Sequence, residues 1–396
     1  MRILYLADIR FPLERANGIQ SMETCHALAR RSHAVHMVVR PDTDSPPRDP
    51  YAFYGLPRLA SLTIERAPVS GPAPAKRLGY LAFALGRAIG RDRPDIVFTR
   101  DLGVAAFLAG LPELIRPPVV YESHGYAPDV ASALPSLVAT AVAPSARKLR
   151  RLAKREAAVW QRADGFVTLT RALADDMAAR FGTRPRVAVV PDGVRIDQVP
   201  SVAAPSGRPI VAYAGHLYAW KGVDILLEAL AALPDVDGLI VGGHEREPDL
   251  ARTKALAQQL GVAARVTFTG LVEPPQVRAW LARANVLVLP NPASAISSRF
   301  TSPLKLFEYM ASGRPVLCSD LPVMREVLTH ESNALFFHAD CAESLAAGIA
   351  RIRGDTMLAE SIARRARSDV ARYTWDERAR RGLAFVTDTL VTSAPI

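Results

Sequence analysis

Short apolar runs, each closed by a turn residue, recur along the whole chain: "RILYLAD", "HAVHMVVR", "DIVFTR", "PPVVYES" and "DGFVTLT", then "PIVAYAG", "GLIVGG", "RVTFTG", "ANVLVLP" and "RPVLCSD". The runs are continuous rather than alternating, which predicts strands buried on both faces. Between them lie Ala-, Leu- and Arg-rich stretches of helical character, among them "METCHALARRS", "AFLAGLPELI", "GVDILLEALAAL" and "QVRAWLARA". Strand and helix in alternation predict parallel sheets built from right-handed crossovers.

The series breaks once. "QVPSVAAPSGRP" carries neither period, and strands resume at Pro209. A chain of 396 residues also exceeds what one hydrophobic core usually serves. Two doubly wound α/β domains are expected, with the linker in that stretch. Ligands of such sheets bind outside the carboxyl ends of the strands, so the binding place is expected in a cleft between the halves. No fixed-period repeat points to a solenoid.

Charge and cysteine content narrow the class. The net charge of +10 favours anionic partners. It is concentrated in one place, where Arg147, Lys148, Arg150, Arg151, Lys154, Arg155 and Arg162 face only Glu156. Cys25, Cys318 and Cys341 have no CxxC spacing, which argues against a disulfide framework or a zinc site and fits a reducing cytoplasm. "MRILYLADIR" is too short an apolar stretch for a signal peptide, and no run reaches the roughly 18 apolar residues of a spanning helix. Membrane contact, if any, is expected to be peripheral.

Two stretches carry candidate chemistry. In "VAYAGHLYAWKGVDILLEALAAL" a strand runs into Gly215, a loop holds His216 and Trp220, and Lys221-Gly222 opens a helix. Amides at a helix start attract phosphate and a lysine adds charge; the bland reading is a strand–helix turn with a solvated lysine. In "FTSPLKLFEYMASGRPVLCSD" a helix should begin near Pro303, capped by Thr301 or Ser302. Lys305 and Glu308 then share one face. A surface ion pair is the bland reading. The rest of the helix is apolar, however, and charges in such a setting need partners, which a ligand offering hydroxyls and phosphate would supply.

At these residues the chain resembles a known family. "YAGHLYAWKGVDILLEAL", "VTFTGLVEPPQVRAWLARANVLVLP" and "SPLKLFEYMASGRPVLCSDLPVMREVL" are similar to the donor half of retaining group 1, or family 4, glycosyltransferases. "PDIVFTRD", "VVYESHG", "VVPDGV" and the terminal "YTWDERARRGLAFV" are similar to the rest of that family. The resemblance implies the GT-B fold, two Rossmann-like domains facing across a cleft. It implies an amino-terminal acceptor-side domain over 1–196, a donor domain over 197–376, and a helix over 377–396 crossing back to the first.

Site residues follow from the same resemblance. Glu308 would hold the nucleotide ribose, and Lys221, with Gly215, His216 and Lys305, the donor diphosphate. Thr301, Ser302 and Leu304 would add amide donors, Pro303 having none. His216 stands where the family commonly has arginine, and Phe300 where it has a second glutamate, which leaves the sugar open. Arg299 reads either as a contact for an acidic sugar or as a solvated arginine. On the acceptor side the family's glycine loop corresponds to Gly18 and its histidine to His124, at a strand end where ligands bind; a packed or capping histidine is the alternative. Asp192 of "PDGV" is as well explained by a turn. His124, Lys221 and Glu308 are the expected catalytic residues.

No metal is expected. "PDTDS" and "PDVDG" have DxD spacing but read as turns, and Lys221 with the helix start would offset the leaving diphosphate's charge. The basic stretch "SARKLRRLAKREAAVWQRA" has Leu149, Ala153, Ala157 and Trp160 on one stripe. It reads either as a membrane-surface helix or as a domain helix packed on its sheet. Nucleic acid is not expected, for want of interleaved aromatics.

The expected enzyme is a hexosyl- or related transferase acting on a nucleotide-diphosphate sugar. Its acceptor would be a glycan, a lipid-linked or a small molecule, in cell-surface polysaccharide or glycoconjugate synthesis. A sugar-nucleotide epimerase of the same fold and a non-catalytic sugar-nucleotide-binding protein are the competing readings. A nicotinamide oxidoreductase is disfavoured, because "LADIRFPLERANGIQ" lacks G-x-G-x-x-G.

Overall fold

A computed structural model describes residues 1–137, 142–196, 207–245, 247–300 and 302–391. The chain divides into two compact units, one of 1–131, 144–193 and 375–396, the other of 132–143 and 194–374. Most of the expected linker lies outside the described residues.

In the first unit, strands β1 (Arg2–Arg10), β2 (Ala34–Arg40), β3 (Leu62–Arg66), β4 (Ile96–Thr99), β5 (Val119–Ser123), β6 (Gly165–Thr168) and β7 (Val187–Val189) form one sheet. Its order is β3-β2-β1-β4-β5-β6-β7, and every pairing is parallel. Ile3 aligns with Val35 on one side and Ile96 on the other. The strand order therefore reverses between β1 and β4, and their carboxyl ends flank the place where doubly wound sheets bind ligands.

The second unit repeats the plan with β8 (Ile210–Ala214), β9 (Asp237–Val241), β10 (Val266–Phe268), β11 (Val286–Leu289), β12 (Val316–Ser319) and β13 (Leu335–Phe337), in the order β10-β9-β8-β11-β12-β13. Its reversal falls between β8 and β11. Val211, Tyr213, Ile240, Val286, Val288 and Leu317 are buried in its core with Leu226, Leu227 and Leu230 of the helix Val223–Ala231.

All ten expected strands are present. The three that the hydrophobic pattern did not reveal, β3, β7 and β13, each lie at a sheet edge. An edge strand has one neighbour and shorter apolar runs; β3 and β7 are mostly half-buried. The "AFLAGLPELI" helix is displaced. It spans Leu102–Leu108, capped by Asp101, and ends before Gly110 and Pro112, while Leu114 is 92% exposed.

Candidate active site

In the second unit β8 ends at Ala214, and Gly215 follows with φ 135°, a backbone angle that favours glycine. A Cβ at Gly215 would lie 3.0 Å from the Nζ of Lys305, so the missing side chain leaves room for that ammonium group. Lys305 belongs to the helix Leu304–Ala311, which buries Leu306, Phe307, Tyr309, Met310 and Ala311. Its Nζ donates to Tyr213 Oη at 2.7 Å and lies 3.9 Å from the centre of that ring. The phenol in turn donates to the His216 carbonyl at 2.7 Å.

Lys221 closes the short turn Ala219–Lys221, and Gly222 begins the helix Val223–Ala231 with no side-chain cap. Gly222 has φ 74°, and a Cβ there would collide with the Pro290 carbonyl at 1.7 Å. The Lys221 Nζ rests 3.5 Å from the Trp220 ring centre and has no carboxylate bonded to it among the described residues. Burial pushes its amine down to about 7. Burial also holds Lys305 well below the usual lysine range, and the charge of Lys221 depresses it further. Burial thus disfavours the charged form of both lysines.

Glu308 lies one turn beyond Lys305. Burial raises its carboxyl above the ordinary range, against the opposing charges of Arg278, Lys305 and Arg195. With Arg195, Arg278 and Ser312 it lines a narrow pocket. The arrangement gives a lysine and a carboxylate within one turn of one helix and a second lysine at the start of another, suited to an anion whose neighbour carries hydroxyls.

Other expected residues take different places. The His216 ring stacks on Tyr218, with centroids 5.1 Å apart, and its Nδ1 is 3.4 Å from Glu247 Oε2. Tyr218 donates to Glu247 Oε1 at 2.9 Å and stacks on Trp220. His216, Tyr218 and Trp220 therefore form a ring column that leads to Lys221, a feature of spacing i, i+2, i+4 in "HLYAW". Thr301 lies outside the described residues. Ser302 does not cap its helix: Pro303 is the cap residue, with no side-chain hydrogen bond, and the helix proper starts at Leu304. The amides of Leu304 and Lys305 precede the bond from Leu306 N–H to the Pro303 carbonyl. Phe300 is 3% exposed, a core residue, and Arg299 is exposed.

In the first unit His124 follows β5, and its Nε2 lies 2.7 Å from Glu122 Oε1. Glu122 is almost wholly buried and pairs at 2.5 Å with Arg378, equally buried, from the helix Trp375–Val391. Burial alone would raise the Glu122 carboxyl; Arg378 and His124 overcome it and hold the group far below the ordinary range. An ionised Glu122 accepts from Nε2–H, which leaves Nδ1 of His124 as a hydrogen-bond acceptor. Burial and the nearby Arg100 push the imidazole down to about 4, so it is neutral at pH 7. Gln20 donates to the same Glu122 oxygen. Glu122 is two residues before His124 in a strand, so their shared face was readable from the period of two; Arg378 carried no such signal.

Gly18 is not a loop residue. It lies in the first turn of the helix Ala16–Arg30, and a Cβ there would meet the Leu13 carbonyl at 2.3 Å and Tyr54 Oη at 2.5 Å. Its role is close packing. Asp192 is 4% exposed with Oδ1 unpaired, and burial pushes its carboxyl up to about 6. It is a buried acid, not a plain surface turn.

The DxD carboxylates are engaged. Asp42 accepts from Arg48 at 2.8 and 2.9 Å, and Asp235 accepts from Arg353. In the basic helix Ala146–Arg162, Trp160 of the expected stripe is buried and Leu149, Ala153 and Ala157 are half-buried; Val159 beside it is also buried, and Trp160 Nε1 donates to the Gly182 carbonyl. Its arginines stay exposed and line an open groove with Leu81 and Phe107.

Comparison with known proteins assigns the class. Residues 19–198 match the model of Glycosyltransferase Family 4 and residues 208–355 that of Glycosyl transferases group 1. The chain belongs to the group 1, family 4 glycosyltransferases. It is 30% identical over 234 residues to the D-inositol 3-phosphate glycosyltransferase of Xylanimonas cellulosilytica, covering 54% of this chain and 55% of that protein. The chain spans about half the length of the curated relatives it matches. Among solved structures, sucrose-phosphate synthase from Thermosynechococcus elongatus superposes with a TM-score of 0.80 at 20% identity, covering 99% and 100% of the two chains. The Anabaena protein HepE in complex with UDP-glucose gives 0.72 at 17% identity, covering 98% and 100%. The fold is the GT-B class of two Rossmann-like units.

Proposed function

We propose that the protein is a retaining glycosyltransferase that takes a sugar from a nucleotide-diphosphate donor and passes it to a hydroxyl acceptor. The observation that carries this reading is Lys305 beside Gly215, together with Lys221 at the start of the next helix. Two buried amines, neither bonded to a carboxylate among the described residues, are stabilised in their charged form by a bound anion. A pyrophosphate has the charge and reach to contact both. The UDP-glucose held by HepE, which has the same fold, supports a donor of this kind.

In this reading Lys221, Lys305 and the amides at the starts of two helices neutralise the departing diphosphate as charge develops on it. Glu308, one turn from Lys305, accepts hydrogen bonds from the ribose hydroxyls. No divalent ion is required for these contacts. On the acceptor side the neutral His124 offers Nδ1 to a sugar or acceptor hydroxyl. Leaving-group departure and acceptor attack on one face would retain the anomeric configuration, with a leaving-group oxygen taking the acceptor's proton.

A role in cell-surface polysaccharide or glycoconjugate assembly fits, in the cytoplasm, with the exposed arginines of Ala146–Arg162 resting on anionic lipid. The buried and half-buried stripe of that helix limits such contact to charge. The buried Phe300 favours a second reading: with no carboxylate there, the unit would bind a nucleotide sugar without transferring it. One experiment separates them. The protein is screened with nucleotide sugars for thermal stabilisation, and the stabilising donor is incubated with acceptors while the anomeric product is followed by NMR. Transfer with retention supports the first reading; stabilisation with no turnover of any donor supports the second.

A further inference from the structure

We propose that Arg100 makes this protein select acceptors that carry an anionic group, phosphate or carboxylate, beside the hydroxyl to be glycosylated. The proposal rests on the glycosyltransferase reading and on His124 facing the acceptor. Arg100 is the first residue beyond the carboxyl end of β4, at the reversal of strand order in the first sheet. That is where ligands of doubly wound sheets bind.

Its bonding is unlike that of the other buried and half-buried arginines of the first unit. Arg40 and Arg77 both reach Asp8, Arg48 reaches Asp42, Arg116 reaches Asp164, and Arg378 reaches Glu122. The half-buried Arg100 makes one hydrogen bond among the described residues, from Nη1 to Gln20 Oε1 at 2.6 Å. Gln20 is 1% exposed, and its amide N–H is given to Glu122, so its oxygen is fixed toward Arg100. A neutral amide oxygen takes one of five guanidinium donors and none of the charge.

The nearby carboxylates do not make up the difference. Glu122 is shared by Arg378, His124 and Gln20. Asp192, raised to about 6 by burial, makes no hydrogen bond or ion pair with Arg100 among the described residues. Gln20 bonds both Arg100 and the Glu122 oxygen that faces His124 Nε2, so the hydrogen bonds join Arg100 and His124 in one cluster. Nδ1 of His124 accepts from a hydroxyl; the open edge of Arg100 takes two oxygens of an anion in its fork. A polyhydroxylated acceptor with one anionic substituent satisfies both at once.

The test compares matched acceptors with the donor found by the screen: a hexose, its 6-phosphate and its 6-carboxylate as soluble probes, and phosphatidylinositol in phosphatidylcholine vesicles as a lipid-borne phosphate. The expected result is a KM at least tenfold lower for an anionic member than for the plain hexose, with that gap collapsing in Arg100→Gln. The member with the largest gap identifies the source of the anion. An equal KM across the set, or a gap that survives in Arg100→Gln, overturns the proposal. A second arm needs no turnover: inorganic phosphate is titrated into the wild type while the His124 imidazole resonances, assigned with His124→Gln, are followed by NMR. A phosphate-dependent shift that Arg100→Gln abolishes supports the site, and no shift, or the same shift in both proteins, refutes it. If no donor is turned over, the transferase reading fails, and the phosphate arm still decides whether Arg100 binds anions.

Discussion

Glu122 and Arg378 are separated by 256 positions in the sequence and meet in a buried ion pair at 2.5 Å. Arg378 also donates to the carbonyls of Val190 and Pro191. The pair fastens the last helix to the strand that ends in His124. Truncating Arg378 would leave a carboxylate buried and uncompensated, which typically costs about 3 to 5 kcal/mol. Arg378→Met should therefore lower the melting temperature sharply. Glu122→Gln with Arg378→Met should recover much of the loss in a thermal melt, because neither charge is then left alone.

A second expectation concerns protons. The free protein holds Lys221 near 7 and Lys305 well below the lysine range, while a bound diphosphate would raise both. The complex then carries more protons than the free protein above pH 7, and affinity falls as pH rises through that window. Below pH 7, Lys221 is already charged and contributes no uptake. Calorimetry of nucleoside diphosphate binding at pH 8, in buffers of different ionisation heat, should show net proton uptake that shrinks in Lys221→Met. Glu308, raised by burial, would act in the opposite sense.

Tyr213 supplies the hydrogen-bond acceptor for the Lys305 ammonium. Tyr213→Phe keeps the ring beneath the amine and removes that acceptor. A bond to a charged donor is worth about 1.5 to 3 kcal/mol, so the nucleoside diphosphate Kd should weaken by about ten- to a hundredfold, measured by calorimetry.

The helix Ala146–Arg162 buries one acid. Glu156 accepts from the Ala127 amide at 3.0 Å, its other oxygen is unpaired, and burial pushes its carboxyl up to about 7. A raised acid contributes stability below its unfolded value and loses it as pH rises through the folded one. Glu156→Gln keeps the acceptor and removes the charge. It should melt higher than wild type at pH 8, by on the order of 2 kcal/mol from the size of the shift, and nearly equal to it at pH 4.

Much of this was legible in the sequence. Strands buried on both faces appear as unbroken apolar runs, so the inner strands of both sheets could be read, whereas the half-solvated edge strand β3 has charged residues in its run and the edge strand β7 has only a short one. Lys305 and Glu308 were visible as charges in an otherwise apolar helix, and Lys221 as the cation before a helix start. Gly18 was misread because its need for a missing side chain comes from Leu13 and Tyr54, not from its own neighbours in a loop. Glu122 with Arg378, and Gln20 with Arg100, are contacts that only the fold creates; nothing in local spacing links them.

The central claim is tested most directly by the affinity of a nucleoside diphosphate for the wild type and for Lys221→Ala with Lys305→Ala, measured by calorimetry in buffer containing a chelator. Tight binding by the wild type, weakened a hundredfold or more in the double variant, is the expected result. Equal affinities, or binding by the wild type only after a divalent cation is restored, would contradict the account.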